Sequence, residues 1–319
     1  MSRADRISRI AIVTSVVMSI VFAISACVSR GEKKKVDTTL SSAAPAVVTP
    51  QAASGDVDSV QKEAPVVTFA SAQTAYTQQK YAEAEESFSV YVDRHPRNAY
   101  GYYMLGLSAW KHGDLDRGRE ALEQSLTIDS TNVKTLLNLG RLLLDQGQPE
   151  DAFRQIERAV ALDSGSAEVQ RMRGRVQSAL GRRDAAEVSY RLALSLDPND
   201  SWSMNNLGLL LIDEGRYAEA LMPLARAVEL RPDAPSFANN LGVALERTGH
   251  PGSAADAYQS ALAADSSYAK AQTSLQRVYG MPDEMPIDVT KLAAQFKDSL
   301  QTGSQVRLSA KPVVVKPEP

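Results

Sequence analysis

The chain has 319 residues, 35 Lys and Arg against 38 Asp and Glu, a formal net charge of −3 and 44% apolar residues. That length supports one large domain or two small ones, and the mildly acidic balance lacks the basic footprint of nucleic-acid binding, so no nucleic-acid partner is expected. Three histidines (His95, His112, His250) and one cysteine exclude an internal disulfide and leave little material for a metal site, a cofactor or a catalytic nucleophile.

Residues 1–9 carry Arg3, Arg6 and Arg9 against Asp5, and an apolar stretch, IAIVTSVVMSIVFAISA, follows from Ile10 to Ala26. The stretch is shorter than the roughly 20 residues a bilayer span needs. A charged start, an apolar middle and small residues at the end are the layout of a secretory signal. The segment closes on Ile24-Ser25-Ala26-Cys27, which resembles the cleavage box of bacterial lipoproteins. The resemblance implies removal of residues 1–26 and a diacylglycerol thioether on Cys27. The sole cysteine of the chain stands where that chemistry needs it. An uncleaved anchor with an incidental apolar Cys is the alternative. Two or three acyl chains hold a protein firmly at a membrane, whereas one does not. Val28 after the cysteine, rather than Asp, resembles outer-membrane more than inner-membrane sorting. The expected location is the bacterial cell envelope, facing the periplasm.

Residues 27–64 combine the lipidated Cys with a linker in which Pro45 and Pro50 stand among Ser, Ala and Thr without helical period, the composition of a flexible tether. Arg30, Lys33, Lys34 and Lys35 beside the anchor suit either water or anionic headgroups.

From residue 65 to 268 the chain repeats itself every 34 residues without a gap, in blocks 65–98, 99–132, 133–166, 167–200, 201–234 and 235–268. The eighth position holds Ala72, Gly106, Gly140, Gly174, Gly208 and Gly242, and the twentieth Ala84, Gly118, Ala152, Ala186, Ala220 and Ala254. Phe88, Leu122, Ile156, Tyr190, Leu224 and Tyr258 fill the twenty-fourth. Positions 4, 7, 8 and 11 share one face of a first helix, and 20, 24, 27 and 28 one face of a second. Small residues at 8 and 20 allow close approach while larger neighbours fill the seam. Gly113, Gly147, Gly181, Gly215 and Gly249 supply the turn. Pro149 and Pro251 suit a first helical turn, and Pro96, Pro198 and Pro232 stop the second helix. Pro223, inside a second helix, predicts a local bend.

This pattern resembles the tetratricopeptide repeat, and the resemblance implies an all-α fold, a right-handed superhelical solenoid of six helical hairpins. The first block departs most, with Gln79 for the turn glycine, as a terminal copy can. Stacked repeats need caps, and residues 269–279, with Leu275, Val278 and Tyr279 at first-helix spacing, are predicted to form a capping helix that closes a solenoid of 65–280.

In the resembling family the first helices line the inner surface, which implies a peptide-binding groove. The inward positions here hold Tyr103 and Trp110, with Tyr100 beside them, then Asn138 and Arg141, then Arg171 and Arg175. They continue with Trp202, Asn205 and Asn206, then Asn239 and Asn240. Asn138, Asn206 and Asn240 form a partial ladder whose amides both donate and accept, which suits an extended peptide backbone. The cluster of Arg141, Arg171 and Arg175 favours a carboxylate-bearing partner, unless Asp145 and Glu168 neutralise it. The rings at Tyr100, Tyr103 and Trp110 either anchor a partner or pack under the first block. Residues 281–319 are predicted to contain one short amphipathic helix, 288–301, with Asp288 as cap and Leu292, Phe296 and Leu300 on one face, then disorder.

The functional expectation is a lipid-anchored scaffold that gathers other proteins, resembling the repeat lipoproteins of type IV and Tad pilus assembly. Adaptors for peptidoglycan or outer-membrane biogenesis enzymes are the neighbouring alternative. The rival class is the accessory, substrate-binding arm of an enzyme such as a glycosyltransferase. Residues 281–319 show no phosphate loop or paired catalytic carboxylates, so catalysis by the chain itself is not expected.

Overall fold

The computed structural model describes residues 67–285 and 287–308, with side chains through Thr302. The signal segment, Cys27, the linker through residue 64 and residues 309–319 lie outside the described residues. Among the described residues the fold is all-helical. The first three repeats are α1 (Phe69–Thr77) with α2 (Tyr81–Arg94), α3 (Ala99–His112) with α4 (Leu115–Ile128), and α5 (Val133–Asp145) with α6 (Pro149–Leu162). The next three are α7 (Ala167–Ala179) with α8 (Arg183–Leu196), α9 (Ser201–Asp213) with α10 (Tyr217–Leu230), and α11 (Pro235–Arg247) with α12 (Pro251–Ala264). Two more helices follow, α13 (Ala269–Val278) and α14 (Val289–Leu308).

Local chemistry explains the boundaries. Asn98, Asn132, Ser166 and Asp200 each accept the backbone N–H three residues on, capping α3, α5, α7 and α9. Thr68 and Ser71 form a reciprocal capping box at α1. Each hairpin turns through one left-handed residue. In repeats two to six it is glycine, from Gly147 and Gly181 at φ 71° to Gly113 at φ 103°. In the first repeat Gln79 adopts φ 60°, a conformation that costs a non-glycine residue about 1 kcal/mol.

The eighth-position glycines act by contact. A Cβ on Gly208 would lie 2.4 Å from Leu224 Cγ, and one on Gly242 would lie 2.5 Å from Tyr258 Cε1. The two helices of a hairpin therefore meet over backbone, with the residue at position 24 as the knob. Pro223 is buried, and α10 runs unbroken through it.

Curvature follows from which helices touch. Each first helix contacts the next first helix, from α1 through α3, α5, α7, α9 and α11 to α13. Successive second helices make no such contacts. The first helices therefore crowd the inner surface and the second helices splay along the outer one.

The C-terminal segment departs from expectation in two ways. The capping helix ends at Val278, and Tyr279 is 74% exposed, so it does not join Leu275 and Val278 in the packing. The last helix runs to Leu308, past residue 301, so residues 306–308 are helical where disorder was predicted. Its N-terminus is capped by Asp288, whose side chain accepts from Lys291 N–H at 2.9 Å. Of the two fates open to its amphipathic face, docking on the solenoid or on a partner, the helix takes the first: α14 lies against α10 and reaches α8, bridging two outer helices that do not touch each other. Ala293 and Phe296 are buried there, with Leu292 and Leu300 packed beside them. The strand of chain leading to it is tied to α12. Asp283 accepts from Gly252 N–H at 2.6 Å, from Ser253 N–H and from the Ser253 hydroxyl, and His250 Nδ1 lies 3.1 Å from the Met285 carbonyl oxygen. Asp283 thus serves as the cap that the N-terminus of α12 lacks in its own sequence. Burial pushes its carboxyl upward, but the Ser253 hydroxyl, the two N–H groups and His250 outweigh that and hold its pKa below the ordinary value.

Candidate binding groove

The inner surface is stitched by hydrogen bonds between residues 35 apart. Because the repeat is 34 residues, such bonds join position n of one first helix to position n + 1 of the next. Asn138 Nδ2 donates to Tyr103 Oη at 2.9 Å, Asn240 Nδ2 to Asn205 Oδ1 at 2.9 Å, and Trp110 Nε1 to Asp145 Oδ2 at 3.0 Å. Arg141 extends the first of these, donating to Asn138 Oδ1 at 2.8 Å and to Glu168 Oε1 at 2.5 Å. Arg171 donates to Asp200 Oδ2 at 2.5 Å, and the same carboxylate takes the Ser203 hydroxyl at 2.6 Å. Repeats two to five thus share a nearly continuous polar seam on their inner face.

The three arginines do not share one state. Arg141 and Arg171 are ion-paired, with Glu168 and Asp200 respectively. Arg175 makes no ion pair among the described residues; its nearest acceptor is the Met172 thioether, 3.6 Å away and weak. Burial is the main influence lowering its pKa, with Arg141 and Arg171 adding and Tyr190 and Asp145 opposing. The guanidinium stays charged at neutral pH, so Arg175 is a partly desolvated cation without a bonded counter-charge. Asp145, one of the two acids expected to neutralise the cluster, bonds Trp110 instead.

Two clefts meet at Arg175. One, of about 390 Å³, is lined by Arg141, Arg171, Met172, Arg175, Trp202 and Asn206. The other, also about 390 Å³, shares Arg175 and Asn206 and is walled by Asp145, Arg183, Tyr190, Leu209 and Asp213. Asn206 makes no side-chain hydrogen bond among the described residues, leaving its amide open to the clefts. Trp202 is 46% exposed, edge-on to Phe237 at 5.0 Å, with the Arg231 guanidinium 5.9 Å from its ring centre.

The sequence-predicted residues therefore divide. Arg141, Arg171, Arg175, Trp202 and Asn206 come together in one cleft. Asn205 and Asn239, each 6% exposed, lie in the packing beneath the surface, and Asn240 is bonded to Asn205. Trp110 is engaged with Asp145, and Tyr103 with Asn138. The Tyr100 and Tyr103 rings are stacked at 5.7 Å, and Phe69 of the first repeat lies 5.4 Å from Tyr100. Asp200, Arg183 and Asp213 were not anticipated. Asp200 doubles as a helix cap and arginine partner, and Arg183 belongs to an outer helix that reaches the cleft at its first turn.

Models described as tetratricopeptide repeat match residues 69–133, 109–176, 167–200 and 205–269. The chain belongs to the tetratricopeptide-repeat family. No curated protein sequence matches it significantly. Among solved structures, it is similar to the Cut9–Hcn1 hetero-tetramer of the APC/C at TM-score 0.58 and 18% identity, over 66% of this chain and 42% of that one. A thermophilic repeat protein of Thermus thermophilus is 18% identical at TM-score 0.51, over 57% of this chain and 98% of its own. A MamA structure is 25% identical at TM-score 0.44, over 60% of this chain and 97% of its own. The first two likenesses are to the fold. The tetratricopeptide repeats make the chain a protein-interaction scaffold.

Proposed function

We propose that this tetratricopeptide-repeat protein is a non-catalytic scaffold of the bacterial envelope. It is tethered through lipidated Cys27 and holds a carboxylate-bearing, extended segment of another protein in the groove formed by α3, α5, α7 and α9. The observation that carries the groove reading is Arg175: a half-buried guanidinium with no ion-pair partner among the described residues, facing two joined clefts beside the open amide of Asn206. A buried charge is costly unless compensated, and a bound carboxylate would supply two acceptors to that fork. Asn206 would meet the backbone of the same segment. The Ile24-Ser25-Ala26-Cys27 box supports the tether, and the 28–64 linker would give the solenoid a reach of roughly 35 Å by the square-root law for flexible chains. Such a scaffold suits assembly of a pilus, a secretion apparatus or another envelope complex.

Two experiments test the two halves. Metabolic labelling with a fatty-acid analogue should mark the wild type and leave Cys27→Ala unlabelled; equal labelling would remove the anchor. Affinity capture from envelope extracts should recover partners that Arg175→Glu loses. Identical capture by both proteins would move the binding surface away from the groove.

A further inference from the structure

At the N-terminal end of the same inner surface stands a run of aromatic rings that the arginine site does not use. Phe69 and Tyr100 lie 5.4 Å apart, and Tyr100 and Tyr103 are stacked at 5.7 Å with 18° between their planes. Phe69 is anchored in the core through Phe88 and Tyr91, each at 5.4 Å. Tyr100 rests on this base yet is 52% exposed. The platform is continuous with the cationic cleft, because Tyr103 Oη receives Asn138, Asn138 receives Arg141, and Arg141 lines the cleft with Arg175. One inner surface therefore carries an aromatic end and a cationic end, joined by amide and guanidinium groups.

A partner segment that engages both ends must be extended, offer a flat apolar face at one point and a carboxylate at another. Proline meets the first two demands together. Its ring packs on aromatic faces, and a polyproline II segment is extended beforehand with its carbonyls free to accept from amides such as Asn206. That pre-organisation lowers the ordering cost of binding. We propose that the groove recognises an acidic, proline-bearing segment of its partner, with a proline ring on Tyr100 and Tyr103 and a carboxylate on Arg175. This rests on the reading of the inner surface as the binding surface and specifies what that surface selects.

The test uses the full chain and fluorescein-labelled synthetic peptides carrying a proline pair and a glutamate pair, separated by about three to eight neutral residues. Two control peptides replace the prolines by alanine or the glutamates by glutamine. Anisotropy titration should show the parent peptide binding at least about tenfold more tightly than either control, a difference of about 1.4 kcal/mol, at one or more spacings of the series. Tyr100→Ala should reduce the parent to the level of the alanine control without changing that control's own affinity, and Tyr100→Phe should restore the difference. Arg175→Glu should abolish the preference for glutamate over glutamine. Equal binding of the parent and the alanine control would overturn the proline subsite while leaving the carboxylate site standing. Indifference to glutamate together with indifference to Arg175→Glu would instead overturn the groove reading itself. No binding of any peptide across the spacing series would overturn the proposal.

Discussion

The inner and outer surfaces of this solenoid are built to opposite ends. On the inner side the first helices touch their neighbours, yet they leave Tyr100, Trp202 and Asn206 open and Arg175 without an ion-pair partner among the described residues. On the outer side, where second helices do not touch, the apolar exterior of α10 is covered by the chain itself. In α6 the outward Arg154 and Arg158 are exposed, whereas in α10 every residue from Ala220 to Ala227 is buried except half-buried Met222. Positions 21–23 explain the contrast: Phe153, Arg154 and Gln155 in the third repeat become Leu221, Met222 and Pro223 in the fifth. The middle of α10 is apolar on most sides, its one charge there, Arg226, being paired with Glu229, and α14 packs against this helix. The outer surface spends its apolar residues on stability, and the inner one keeps charge and rings in reserve for a ligand.

That division predicts a ranking of effects. Phe296→Ala should be the most damaging of the changes considered, costing about 3 kcal/mol of α14 docking. Hydrogen exchange should show lost protection in α14 and in the outer face of α10 while repeats one to three stay unchanged. Gly208→Ala comes next. The added methyl meets Leu224 at a distance no core tolerates, and overpacking costs about 1–3 kcal/mol, read as a lower urea midpoint. Asp283→Asn should cost about 1 kcal/mol at neutral pH, the usual value of a helix cap. Its sign with pH is fixed: the folded pKa is depressed, so the stabilisation is present above the ordinary carboxylate value of about 4 and is lost as pH falls through the folded value. The difference in urea midpoint between wild type and Asp283→Asn should therefore shrink below about pH 4; a difference constant down to pH 2 would contradict the assignment. Arg175→Glu should have the smallest effect on stability, within about 1 kcal/mol of wild type, because no internal ion pair is lost.

The hairpins were legible because their determinants are local and periodic. A glycine at position 8 faces the knob at position 24, and a glycine at position 15 turns the chain, in every repeat from the second to the sixth. The inner seam was legible in part. Position identified Asn138 and Arg141 as inward, but spacing alone could not show that Asn205 and Asn239 sit one level too deep. Nor could it show that Asp145 takes its hydrogen bond from Trp110 and acts on Arg175 through charge alone. Least legible was the outer dock. The apolar face of α14 was visible in Leu292, Phe296 and Leu300, but a period names a face and not its counterpart. The counterpart lay in Leu221, Met222 and Pro223, whose departure from the polar residues of neighbouring repeats was the available clue. Asp283 carried no sequence signal as a cap, since it lies 31 residues from the Gly252 N–H it receives.

The central claim, that binding belongs to the inner surface and stability to the outer, is tested most directly by site-specific photocrosslinking in cells. A photoreactive residue at Asn206 should yield a discrete crosslinked partner that disappears when Arg175→Glu is added, while the same residue at exposed Val188 on the outer surface should yield none. A partner crosslinked from Val188 and not from Asn206, or one at Asn206 that is indifferent to Arg175→Glu, would contradict it.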